Sequence, residues 1–210
     1  MRLPNAEFTE RPWRIHEFTQ DFELEDVWAL DTPGGPDDLA VLVARMGGNG
    51  KNFAPSRTYR ALFALRWRLG GLLGWDKPEH GLGARHPSLR ERLPADLRDG
   101  LRGPDPRQVP LTSVYQTHDE WVTEVGNRTV HAAMHIGWVA NENGGYSGQM
   151  AVLVKKQDWL ARVYMPLVLP LRRTFVVPSL LRAQGRSWRL GQVEYGGGDV
   201  RPTMPKRPTE

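Results

Sequence analysis

Alternating apolar and polar positions dominate the chain between residues 111 and 155. Four runs show this period of two, at residues 111–117, 120–125, 129–139 and 146–155. The residues that separate the runs are rich in Asp, Asn and Gly, which is typical of tight turns. Because short connections join antiparallel neighbours, the pattern predicts a meander of four strands.

The third predicted strand has two different faces. One face is apolar and carries, at alternate positions, Val130, Ala132, Met134, Ile136 and Trp138. The other face carries two histidines among small residues, namely Thr129, His131, Ala133, His135 and Gly137. In the fourth strand, Met150, Val152 and Val154 form a matching apolar row. We expect the two apolar rows to face the core, because residues two apart on a strand share a face.

A long apolar segment follows the strands. Residues 159–184 come directly after Asp158, a residue type that commonly caps helices, and so predict a long C-terminal helix. Three prolines fall inside it, at Pro166, Pro170 and Pro178. Each proline removes an amide donor and clashes with the preceding turn, so we expect this helix to be kinked or broken.

The first third of the chain is less regular. A short helix is predicted at residues 39–46, with Asp37 or Asp38 as its cap, and an amphipathic helix at residues 57–73. Residues 13–18 alternate weakly and predict a first strand. Residues 23–30 fit either a strand or a helix, because periodicity does not separate the two in so short a run.

Domain organisation follows from the polar segments. Residues 1–11 are polar and predict a flexible N-terminal tail, whereas residues 191–210 have the Gly- and Pro-rich composition of a disordered C-terminal tail. Residues 75–110 are rich in Pro, Gly and charge, and predict either a surface excursion or a lid. We therefore expect a single domain of the α+β class over residues 12–190.

Composition excludes several classes of protein. The chain carries 28 Lys and Arg against 24 Asp and Glu, and the two signs are interspersed, which argues against specific nucleic-acid binding. It has no Cys, so disulfides, thiolate zinc sites and a Cys nucleophile are excluded. It shows no secretory leader and no apolar run of about 18 residues that predicts a transmembrane segment. These features predict a cytoplasmic protein and leave the oligomeric state open.

Candidate chemistry is sparse. His131 and His135 have the spacing of zinc ligands on a helix, but on a strand they lie about 13 Å apart, too far to share one ion. We therefore predict no metal site, and expect the two histidines either to line a cavity or to face solvent. His118, Asp119 and Glu120 fall at a predicted turn and are expected to be exposed. In the absence of a catalytic motif, no cofactor is predicted and the question of enzymatic activity stays open.

Three runs resemble a bacterial family of domains of unknown function: NRTVHAAMHIGWV, GQMAVLVKK and DWLARVYMPLVLPLRRTFVVPSLLR. The chain is similar, through this family, to the START-like, polyketide-cyclase-like (SRPBCC) helix-grip superfamily. The likeness covers residues 12–190 and is sharpest over residues 112–186. It implies a curved antiparallel sheet wrapped around a long C-terminal helix.

The resemblance also implies a ligand. In a helix-grip fold, a cavity between the sheet and the final helix commonly holds an apolar small molecule, and we expect a volume of at least about 300 Å³. Arg162 and Tyr164 on that helix are candidates to point polar groups into it. The full set of candidate ligand-binding residues is His131, His135, Tyr164, Arg162, Trp138 and Met134.

Three functions remain open from the sequence. The first is binding of an apolar small molecule. The second is a cyclase- or dehydratase-type enzyme for a polyketide-like or aromatic substrate, which requires at least two of His131, His135, Tyr164 and Arg162 to converge on one cavity. The third is a protein-interaction module that uses residues 57–73 or 75–110.

Overall fold

A computed structural model describes residues 1–47, 82, 87–106, 109–127, 130–141, 144–156, 173–174 and 177–195, with side chains up to residue 190. The expected helix at residues 57–73 lies outside these ranges, as do Arg162 and Tyr164. None of the helices in the described part is long and apolar enough to cross a membrane.

Six antiparallel strands form one open sheet, in the order β1-β2-β6-β5-β4-β3. The strands are β1 (Arg2–Leu3), β2 (Glu23–Ala29), β3 (Thr112–Gln116), β4 (Glu120–Gly126), β5 (Val130–Ala140) and β6 (Tyr146–Lys156). The last four pair in chain order, which confirms the predicted meander. The ambiguous run at residues 23–30 is a strand that pairs with β6.

The β5–β6 turn shows why the Asn and Gly residues between the strands predicted where the strands end. The Asn141 side chain accepts the backbone N–H of Gly145 at 3.1 Å, which closes the turn. Gly144 has a φ of +78°, a conformation that glycine adopts without steric cost. The turn holds β5 and β6 in register from Val130 opposite Lys156 to Ala140 opposite Tyr146.

The helices are α1 (Ala6–Thr9), α2 (Leu39–Gly47), α3 (Ala95–Arg98) and α4 (Val177–Tyr195), with 3₁₀ helices at Arg14–Glu17 and Leu89–Arg92. Helix α2 confirms the prediction at residues 39–46. The Asp38 carbonyl accepts the N–H of Leu42 at 3.1 Å, so Asp38 stands at the start of this helix. Its carboxylate binds the Gly35 N–H at 2.7 Å instead of capping the helix itself.

Helix α4 matches only the end of the predicted C-terminal helix. It begins at Val177, so Pro178 lies in its first turn, where a missing amide donor costs nothing. Of the preceding segment, only residues 173–174 are described. The helix also continues to Tyr195, beyond the residue where we expected a disordered tail to begin.

The N-terminal expectations were wrong in two places. Residues 13–18 contain a 3₁₀ helix and no strand, with Ile15 fully buried. Residues 1–11 include an edge strand and α1, whose Phe8 is 1% exposed. Burial of these large apolar side chains against the sheet orders a segment that its polar composition had suggested was loose.

Both faces of the sheet are covered, which divides the core in two. Helices α2 and α4 cover one face, hereafter the helical face, with a core that includes Leu42, Ile136 and Trp188. The opposite face, hereafter the loop face, is covered by the N-terminal segment and by residues 87–98. Its core includes Phe8, Ile15, Phe18, Leu89, Leu93, Leu97, Ala133 and Leu153.

The coverage of the loop face corrects two expectations. Leu89, Leu93 and Leu97 are buried, so this part of residues 75–110 belongs to the core and is no surface excursion. The apolar rows do turn toward the helices as predicted, but Met134 and Val152 are only half-buried. The more fully buried face of β5 at this end is the one that carries the histidines.

Candidate functional site

A cavity of about 160 Å³ lies on the helical face and is partly open to solvent. Its sheet side is formed by Met134, Ile136 and Met150 on the two central strands. The remaining apolar lining comes from α2, α4 and the segment before β3, namely Leu30, Met46, Pro106, Val109, Leu111, Leu180 and Leu181. The cavity thus lies between the sheet and the helices α2 and α4, and its volume is about half of the smallest volume that we expected.

Polar lining is confined to the helices. Arg45 on α2 and Gln184 and Ser187 on α4 are the polar residues of the lining, among the residues described. The Arg45 guanidinium lies 4.6 Å from the centre of the Trp188 ring and donates to the Trp188 carbonyl at 3.0 Å. The cavity thus has an apolar floor on the sheet and a polar edge between two helices.

The predicted site residues separate into groups. Met134 lies in the lining of the cavity. Trp138 is on the same face but is buried nearby, where its indole N–H donates to the Gly35 carbonyl at 2.8 Å and its ring packs edge-on against Trp188.

His131 and His135 lie on the loop face, away from the cavity. They are 2% and 0% exposed, so the expectation that they line the cavity or face solvent was wrong. On β6, Ala151 lies directly opposite His135 and belongs to the core of the same loop face. Within the described residues, no group of His, Asp or Glu side chains is arranged to hold a metal ion.

Glu120 is the partner of His135. Its Oε2 lies 3.2 Å from His135 Nε2 and accepts the Tyr115 hydroxyl at 2.7 Å. Its Oε1 accepts the backbone N–H of Arg14, the first residue of the first 3₁₀ helix, at 2.8 Å. Glu120 is 2% exposed, so the expectation that it is an exposed turn residue was wrong, whereas His118 and Asp119 are only partly buried.

Glu124 lies four residues after Glu120 on the same face of β4 and repeats this arrangement. Its Oε2 lies 2.7 Å from His131 Nε2 and accepts the N–H of Leu89 at 3.0 Å. Its Oε1 accepts the hydroxyl of Ser88, the residue that caps the second 3₁₀ helix. Each buried carboxylate thus joins an imidazole of β5 to the start of a 3₁₀ helix.

Both carboxylates are held in the charged form. Burial raises the pKa of the Glu120 carboxyl, but His135, the Arg14 N–H and the Tyr115 hydroxyl outweigh it, so the pKa lies below its ordinary value. The same holds for the pKa of Glu124, through His131, Leu89 and Ser88. Burial and the neighbouring Glu120 charge raise the pKa of Tyr115, which stays a neutral donor.

Sequence reasoning placed Glu120 in an exposed turn and missed Glu124, although a signal for both was present. Glu120 and Glu124 are spaced as His131 and His135 are, and the two pairs stand on neighbouring antiparallel strands. Equal spacing on paired strands lets two acids meet two imidazoles on one face. Arg45 of the cavity was missed as well, because it lies on a different element from the residues that carried the resemblance.

A family model described as "Protein of unknown function (DUF2867)" matches residues 18–179. No curated protein and no solved structure matches.

Proposed function

The chain belongs to the DUF2867 family of proteins of unknown function, and we propose that it binds a small apolar molecule between its sheet and its C-terminal helix. The observation that carries this proposal is the partly open cavity of about 160 Å³, which is lined by apolar side chains both on the sheet and on the segments that cover it. Ligand sites are typically concave, mostly apolar and preformed, with a few polar groups that fix orientation.

Cavity size limits the ligand. Drug-sized molecules occupy pockets of about 300–1,000 Å³, whereas an engineered apolar cavity of about 150 Å³ takes up benzene. A volume of about 160 Å³ therefore fits one small ring or a short branched alkyl group. We propose a ligand of this size, or a larger molecule of which only one apolar group enters.

The lining suggests how such a ligand is oriented. Met134 and Met150 on the floor have flexible, polarizable side chains that adapt to irregular shapes. Arg45, Gln184 and Ser187 at the opposite edge supply hydrogen-bonding groups. An amphipathic molecule, with its apolar part on the sheet and its polar end at the helices, matches this distribution.

We also propose that the fold is a helix-grip fold. The open antiparallel sheet and the helix α4 across its helical face are consistent with it. The chain has no Cys, which fits a reducing compartment and supports a cytoplasmic location as part of the same proposal.

The two other functions receive less support. The enzyme hypothesis needs at least two of four residues in the cavity, but His131 and His135 point to the opposite face and are engaged by Glu124 and Glu120. The other two, Tyr164 and Arg162, lie outside the described residues. The interaction hypothesis needs a contiguous apolar surface. Within the described part, the exposed large apolar side chains are Met1, Leu101 and Leu190, which lie on three separate segments.

A cavity-filling variant tests the proposal. Leu181 lines the cavity and is partly buried, so Leu181→Phe should fill the space and abolish binding. Toluene serves as the probe, and binding is followed by shifts of the methionine methyl signals in NMR. The matched control is Leu190→Phe, because Leu190 lies on the same helix and is 57% exposed. Absence of toluene binding to the unmodified protein, or equal binding by Leu181→Phe, would contradict the proposal.

A further inference from the structure

The loop face is tied to the sheet by two contacts of the same design. Each involves a buried glutamate of β4, a buried histidine of β5 and the first residue of a 3₁₀ helix. We call residues 6–19 the N-terminal cover and residues 87–98 the second cover. Both pack apolar side chains on the loop face.

The N-terminal cover is held through Glu120. The carboxylate accepts the N–H of Arg14 at 2.8 Å, in the middle of a segment whose Phe8 and Trp13 rings lie 5.2 and 5.0 Å from the His135 ring. A hydrogen bond to a charged acceptor inside a protein is stronger than one between neutral groups. The strength of this tie therefore depends on the charge of Glu120.

The second cover is held through Glu124. The carboxylate accepts the N–H of Leu89 and the hydroxyl of Ser88, and Leu89 is fully buried. This cover is also bound to β3 by a hydrogen bond that involves no carboxylate: the Arg90 guanidinium donates to the Val114 carbonyl at 2.6 Å. It should therefore be held more firmly than the N-terminal cover when the carboxylates lose their charge.

We propose that Glu120–His135 and Glu124–His131 are two separate acid-sensitive clasps, each of which holds one cover and releases it when its carboxylate is protonated. A protonated carboxyl accepts hydrogen bonds more weakly than a carboxylate does. The N-terminal cover is released first, because its tie to the sheet through Arg14 depends on Glu120.

The charges around the clasps support release in acid. Both glutamates have a pKa below the ordinary value of 4.5, so the stabilisation is present above that value and is lost as the pH falls through the lower one.

Other charged groups near the clasps are already paired. Beside the first clasp, the Arg14 side chain bridges Glu17 and Asp96, while Asp119 lies near His118. His16 of the N-terminal cover has its Nε2 3.3 Å from the Phe8 carbonyl.

Beside the second clasp, Lys155 is the cross-strand partner of His131 and bridges Asp21, which also binds Arg92. Glu91 of the second cover is engaged by the N–H of Ser88 in a capping box. Asp21 also links the second cover to β6, and Asp96 links the two covers to each other, but both of these carboxylates are exposed. Glu120 and Glu124 are the buried carboxylates that bind the covers to the sheet.

Hydrogen exchange of the unmodified protein between pH 7 and pH 3, followed by mass spectrometry, tests the proposal without any substitution. Once intrinsic exchange rates are corrected for pH, protection of residues 6–19 should fall by about tenfold or more below pH 4.5, followed by that of residues 87–98. Protection of β5 and β6 should persist at the same pH. Simultaneous loss of protection in both covers and in the sheet would overturn the proposal.

Single substitutions at pH 7 test the separateness of the clasps. Glu120→Gln should lower the protection of residues 6–19 about tenfold and spare residues 87–98, and Glu124→Gln should do the reverse. Glu10→Gln is the matched control, because Glu10 is an exposed residue of the N-terminal cover. Equal loss in both covers from either substitution would show general destabilisation and would refute the idea of two clasps.

Discussion

At the scale of single residues, the loop face depends on a buried carboxylate that has several hydrogen-bond partners. Glu120 engages His135, Tyr115 and the Arg14 N–H, and a carboxylate with fewer partners would be costly at 2% exposure. The residue types of this cluster are scattered in the sequence from position 14 to position 135. Arg14 and Glu120 are 106 residues apart, which is why the sequence named Glu120 and the histidines but assigned them the wrong surroundings.

Removal of the Tyr115 hydroxyl measures how much this cluster contributes to the free energy of unfolding. Tyr115→Phe deletes the 2.7 Å hydrogen bond to Glu120 and should lower the free energy of unfolding by about 1.5–3 kcal/mol, the range for bonds to charged groups. Urea denaturation gives the value. Tyr146→Phe is the control, because Tyr146 is only half-buried, and it should change the stability by less than about 0.5 kcal/mol. A similar small change for Tyr115→Phe would show that the cluster contributes little.

At the scale of elements, turn composition and alternation were sufficient for β3 to β6. The bounds of β5, Val130–Ala140, differ by one residue at each end from those predicted. The 3₁₀ helix Arg14–Glu17 was mistaken for a strand because its apolar residues alternate by chance over a run too short to discriminate. Its conformation is determined by where Ile15 and Phe18 pack on the sheet.

A glycine substitution tests the turn that sets the β5–β6 register. Gly144→Ala places a side chain at a φ of +78° and should cost about 1–2 kcal/mol of unfolding free energy. Gly145→Ala is the matched control, because the neighbouring glycine has no positive φ. Thermal unfolding of both variants gives the comparison, and equal melting temperatures would contradict the expected strain.

At the scale of the whole molecule, one sheet separates two different interiors. The helical face contains the cavity, and the loop face contains the charged clasps. Successive residues of β5 point to opposite faces of the sheet. Met134 and Ile136 line the cavity, and His135 between them is buried on the loop face. A ligand in the cavity and a proton at the clasps thus act on opposite surfaces of the same strands.

Overall stability should depend on pH in a defined direction. Because the folded state lowers the pKa of Glu120 and Glu124, the unfolded state binds protons more readily, and stability falls as the pH drops below about 4.5. Urea unfolding between pH 3 and pH 7 measures this slope. Glu124→Gln should give a lower stability at pH 7 and a shallower slope in acid. An unchanged slope would mean that other carboxylates control the acid transition.

The sequence by itself determined the α+β class, the meander and the identity of the residues that share each face of β5, because alternation and turn chemistry are local properties. Only the tertiary structure decided what covers those faces. Phe8 and Leu89 come from segments far from β5 in the chain, yet they bury the face that carries the histidines. Local alternation records which side chains stand together, whereas burial depends on distant segments whose packing no local pattern specifies.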